Sequence, residues 1–160
     1  MDESGTLLTI AEVAATFLGF STIFFVLRRD DVPDDRRIFM RTVAETGLAV
    51  TFGSLLPFFV HGLTHNAALA WRGSAGVFAV GWIASLVADV RRYHGAGLSA
   101  TLSGTWYSLD NVMNVVGIGS LLWVTAFGPA VSGALYTIAM ACLLLICGAS
   151  FIAGAFGRPR

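Results

Sequence analysis

Lysine is missing from this chain: all ten basic residues are arginine. Without lysine there is no Schiff base to retinal or pyridoxal phosphate, and no lysine of a phosphate-binding loop. Charge of either sign is scarce, 12% of residues against about 25% in a soluble domain. Only two cysteines occur, Cys142 and Cys147. Five apart in one apolar run, they fall on opposite faces of a helix, which excludes an intrahelical disulfide and leaves them as small buried apolar groups. Soluble catalytic motifs are missing as well: Gly-x-Ser-x-Gly, a nucleotide-binding glycine loop, His-Glu-x-x-His and Cys-x-x-Cys. No enzyme, cofactor or metal centre is expected from such a chain.

What fills the sequence instead is apolar: 56% of the 160 residues are hydrophobic. A membrane span needs roughly 20 such residues at a 1.5 Å rise. Five segments qualify, at about 7–27, 42–63 (with Pro57 inside), 74–90, 107–127 and 130–156. The expected fold is an all-α bundle of five transmembrane helices forming a single domain. The first run is too long for a signal-peptide core, and its basic residues, Arg28 and Arg29, follow it rather than precede it, so it reads as a span.

Arginine placement orients the bundle. Arg28, Arg29, Arg36, Arg37 and Arg41 cluster at the first connection, Arg91 and Arg92 at the third, Arg158 and Arg160 at the end. Only Arg72 falls in the second connection. With five spans, nine of the ten arginines share one side, and that side is cytoplasmic. The N-terminus is then outside and the C-terminus in the cytoplasm, in a cell (plasma or inner) membrane. The stretch RRDDVPDDRR largely cancels its own charge and reads as a solvated turn, not a lipid-headgroup or nucleic-acid patch. The lipid bilayer is the expected partner, with no nucleic acid.

Two groups of polar residues interrupt the spans. An ionised group at the centre of a span costs about 2.5–3.5 kcal/mol on the insertion scale, so such residues face protein or water and often mark function. The outer group centres on Glu12, which shares one helical stripe with Thr9, Thr16 and Gly19. As a functional group Glu12 binds cations or carries protons along a path. As a structural one it hydrogen-bonds a neighbouring helix. His61 and His65 end the second span on the same side, within reach of pairing with Glu12. Their i, i+4 spacing suits a metal, but without a third ligand nearby they read better as interfacial histidines near Trp71.

The inner group joins three spans. Glu45 follows Arg41 by four residues and is expected to form an ion pair with it. Asp89 closes the third span. Asp110, Asn114 and Gly117 share a face of the fourth, with Asn111 offset. Structural glue is the main expectation for these residues, and a cytoplasmic vestibule the other. Small-residue rows are frequent, among them Ala11-Ala15-Gly19, Ala75-Ala79 and Ala84-Ala88, which favours a homo-oligomer. Two short similarities, Thr-Ile-Ala-Glu with Thr-Val-Ala-Glu (residues 9–12 and 42–45) and Gly-Ser-Leu-Leu at 53 and 119, suggest a repeat. Chance is the better account of them, because apolar helices draw on a small alphabet.

Two functions of different class fit these residues. One is an oligomeric cation or proton channel lined by Glu12 and Thr16, gated near Ile23, with His61 at its outer mouth. The other is a non-conducting anchor, sensor or assembly partner whose intramembrane polar residues only hold the bundle.

Overall fold

The computed structural model describes residues 3–27, 34–95, 105–128 and 132–156. Among these residues every regular element is helical: α1 (Glu3–Leu27), α2 (Asp34–Thr64), α3 (Ala67–Gly95), α4 (Thr105–Phe127) and α5 (Ser132–Phe156). All five are long and apolar enough to cross a membrane, through Ser4–Phe24, Arg41–Thr64, Ala67–Arg91, Leu109–Phe127 and Ser132–Ile152.

Two boundaries differ from the sequence expectation. The expected turn RRDDVPDDRR is helical from Asp34 on, and its first six residues lie outside the described ones. The third span begins at Ala67, seven residues before the expected start, so Arg72 sits inside a helix rather than in a connection.

The early start of α3 follows from an abrupt turn. The His65 amide donates to the His61 carbonyl (2.8 Å) and closes α2 with a left-handed residue, φ 50°. Histidine is among the few non-glycine types that take this conformation readily. Asn66 then caps α3, its Oδ1 accepting from the Leu69 amide at 3.1 Å. Only two residues therefore separate α2 from α3.

The chain divides into two compact units, Met1–Leu56 with Met140–Arg160, and Pro57–Ala139. In the first, α1, the start of α2 and the end of α5 meet around Gly47, which is flanked by Ala14, Leu18 and Cys147. The buried line of α2 reads Val43, Gly47, Val50, Ser54, Pro57, alternating steps of four and three residues. That spacing keeps one seam turned toward its neighbours. The Cys147 thiol donates to the Val43 carbonyl (3.6 Å), and Phe17 packs on Phe151 at 5.7 Å between centroids. Both cysteines are free and buried, as expected of small apolar groups.

The second unit is built on the antiparallel pair α3–α4. On α3 the seam is Arg72, Ala75, Ala79, Trp82, Leu86, Asp89; on α4 it is Asp110, Asn114, Gly117, Leu121, Val124, Gly128. Both alternate steps of three and four, the spacing of knobs-into-holes packing. Contacts of Arg72 with Gly128, Gly76 with Thr125 and Trp82 with Gly117 fix the register. Near one end, Trp71 of α3 stands edge-on to Tyr136 of α5, centroids 5.7 Å apart.

Candidate functional site

The outer group lies on α1. Its buried residues, Leu7, Ile10, Ala11, Ala14 and Ser21, form one face. Gly5, Thr9, Glu12, Thr16, Gly19 and Ile23 form the opposite one, and all six are exposed. Ile23 is 57% exposed, and Gly5 and Gly19 look onto open space. Large apolar side chains border this stripe: Leu8, Val13, Phe20 and Val26. Glu12 lies eight residues inside its span, ~12 Å along the helix axis. Its carboxyl group has no hydrogen-bond or ion-pair partner among the described residues.

The two threonines beside it are turned inward at their protons. Thr9 Oγ1 donates to the Gly5 carbonyl (3.0 Å) and Thr16 Oγ1 to the Glu12 carbonyl (2.8 Å). The row Ala11-Ala15-Gly19 does not share one free face: Ala11 is buried in its own unit, whereas Ala15 and Gly19 are exposed. A second helix approaching α1 would therefore meet the Glu12 stripe itself.

His61 and His65 are both exposed. Glu12 belongs to the first unit and His61 to the second. His61 continues the buried line of α2 one step past Pro57, at the helix end where that line emerges from packing. Among the described residues, no three or more His, Cys, Asp or Glu side chains are grouped to hold a metal ion.

The inner residues behave differently. Arg41 and Glu45 form the expected i, i+4 pair, Nε to Oε1 at 2.6 Å, with both side chains well exposed. Asn114 is 7% exposed and lies in the α3–α4 seam. Its Oδ1 accepts from the Trp82 indole Nε1–H (2.8 Å), and its Nδ2 donates to the Asp110 carbonyl (2.8 Å). Asp110 and Asp89 are half-buried, near enough for their charges to interact across the seam, while Asn111 is exposed.

Sequence reasoning missed Trp82 and the reason for Gly117. A Cβ on Gly117 would collide with Trp82 Cη2 and Cζ3, so only glycine leaves room for the indole. The spacing Ala75-Ala79-Trp82 against Asn114-Gly117-Leu121-Val124 is the signal that finds this pair. Arg72 was also misplaced. Its Nη2 donates to the Ala126 carbonyl at 3.0 Å, beside Gly128 with φ 78°. The guanidinium thus covers the C-terminal end of α4, where orphan carbonyls and the helix dipole favour a cation.

The repeat splits in the same way. In both four-residue segments beginning with Thr9 and Thr42 the second residue is buried and the glutamate exposed. In Gly-Ser-Leu-Leu, Gly53 and Ser54 are buried, whereas Gly119 is exposed and Leu121 buried, so that similarity does not extend to packing.

These arrangements define a helical chain with five membrane-compatible spans. Comparison with protein families, with characterised proteins and with solved structures finds no match for it.

Proposed function

We propose that this chain is the subunit of a small homo-oligomeric channel in the cell (plasma or inner) membrane, conducting cations or protons along a path lined by Glu12. The supporting observation is the exposure of Glu12 on the face of α1 turned away from its own packing, with no partner among the described residues. Lipid is a poor neighbour for a carboxyl group at that depth. A second copy and a thread of water remove the penalty. Repeated around an axis, Glu12 becomes an acidic ring, which concentrates cations. Thr16 continues the polar lining, and Ile23 supplies an apolar constriction ~16 Å further along the helix, able to gate by dewetting.

The arginine distribution supports an external N-terminus and a cytoplasmic C-terminus. In a Cys142→Ser, Cys147→Ser background, cysteines at Asp2 and Ala68 are expected to label from outside, and those at Asp31, Gly97 and Arg160 from inside. Labelling of Gly97→Cys only from outside would break the five-span topology.

The decisive experiment is conductance of the purified protein in planar bilayers between neutral and acidic pH, for wild type and Glu12→Gln. A cation-selective current that falls on acidification and loses selectivity in Glu12→Gln is the expected result. No current at any pH, or one indifferent to Glu12, leaves the second reading, a non-conducting assembly partner. The Trp82–Asn114 bond favours that reading for the α3–α4 residues, because it commits their polar groups to structure.

A further inference from the structure

We infer that Thr9, Glu12 and Thr16 form a ladder of oxygen ligands for hard monovalent cations of the alkali class, completed by the same residues of neighbouring copies. The inference rests on the conduction reading and names its substrate.

Hydrogen position carries the argument. Both threonine hydroxyls give their protons to carbonyls of their own helix, Thr9 to Gly5 and Thr16 to Glu12. What each turns outward is a lone pair. An ionised Glu12 between them is an acceptor only. The exposed line thus presents hydrogen-bond acceptors and no donor from Thr9 to Thr16, at levels ~4.5 and ~6 Å apart along the axis. An identical face from a second copy brings acceptors against acceptors. Two such faces repel unless a positive charge lies between them. Other threonines also bond back to their helices, Thr22 to Leu18 and Thr125 to Leu121 among them. Neither has a carboxylate as its neighbour on an exposed face.

The donor set selects the ion. Carboxylate and hydroxyl oxygens are hard ligands, and a soft or borderline metal would look for the sulfur or imidazole that this stripe lacks. Calcium is held by six to eight oxygens, several of them charged, and magnesium gives up its water reluctantly. Here two of the three levels, Thr9 and Thr16, carry no charge, which suits an ion that sheds water readily and is passed between weak, closely spaced sites. Gly5 and Gly19, open on the same line, leave the backbone accessible above and below the ladder.

Two measurements on the full-length protein test this. In planar bilayers, K⁺ and Na⁺ are expected to carry current while N-methyl-D-glucamine does not. Thr16→Val, which keeps the side-chain shape and loses the oxygen, should lower K⁺ conductance about fivefold, the scale of one lost polar contact, and Thr16→Ser should restore it. Independently of current, the detergent-solubilised protein should melt at higher temperature in KCl than in N-methyl-D-glucamine chloride of equal ionic strength, and Glu12→Gln should abolish the difference. Equal K⁺ currents in wild type and Thr16→Val, or a current carried by protons alone, would overturn the ladder and leave the channel standing. No current, with the K⁺-dependent stabilisation intact, would overturn the channel and leave the ladder. Absence of both would remove both.

Discussion

Asn114 and Glu12 are both polar residues within apolar spans, and the chain treats them in opposite ways. Asn114 is wrapped by its own hairpin: Trp82 donates to its oxygen, its nitrogen donates to the carbonyl one turn back, and Gly117 makes room for the indole. Glu12 stands on an exposed line of α1, bordered by Leu8, Val13 and Phe20, with no described residue of its own unit arranged to meet it. A polar group satisfied inside one chain stabilises that chain. A polar group turned out from it implies something beyond the chain. The contrast separates a residue that holds the structure from one that the described residues of its unit leave unmet, and it is the second that the proposed channel employs.

Substitutions at the two sites sharpen the contrast, and the largest effect belongs to Asn114→Asp. It buries a carboxylate in place of the amide that now donates to the Asp110 carbonyl, and should cost several kcal/mol in unfolding from mixed micelles. Next is Gly117→Ala, whose methyl group collides with Trp82; about 1–3 kcal/mol is expected for overpacking, together with a shift in Trp82 fluorescence. Adding Trp82→Leu should recover much of that loss, and no recovery would mean that the ring is not what Gly117 accommodates. Asn114→Leu comes third, leaving the Trp82 N–H buried without an acceptor at a cost of about 1–3 kcal/mol. Trp82→Phe in that background removes the orphan donor and should lessen the penalty. Arg72→Gln should cost about 1 kcal/mol by weakening the cover on the end of α4.

Glu12→Leu should be the mildest, within about 0.5 kcal/mol in the isolated protomer as for other exposed positions, while altering assembly or current. A large loss of protomer stability from Glu12→Leu, with Asn114→Leu tolerated, would invert the distinction drawn between the two sites.

Length and hydropathy made the five spans legible in the sequence, because a helix of about 20 apolar residues matches the hydrocarbon thickness of a bilayer. Helix-local features were legible too. The Arg41–Glu45 pair and the stripe through Glu12 depend only on spacing along one helix. What connects two helices was not. Lipid is as apolar as a protein core, so the periodicity that marks a packed face in water is weak in every span. Trp82 therefore looked like any other aromatic residue in an apolar run. The Ala11-Ala15-Gly19 row looked like a contact face although only part of it is free. Arg72 was placed in a connection because a cation near an apolar run normally ends it, and the compensating carbonyl belongs to a helix more than fifty residues further along.

The guanidinium of Arg72 has a bearing on biogenesis. In the proposed orientation it lies near the translocated end of α3, against the general bias of the chain's cations. Its acceptor, the Ala126 carbonyl, exists only once α4 has been synthesised to its end. During synthesis α3 would present an uncompensated cation to lipid until α4 arrives, so the two helices are best delivered to the bilayer as a pair. In that orientation, the planar head of one arginine would couple the order in which these helices are made to the moment at which they can enter lipid.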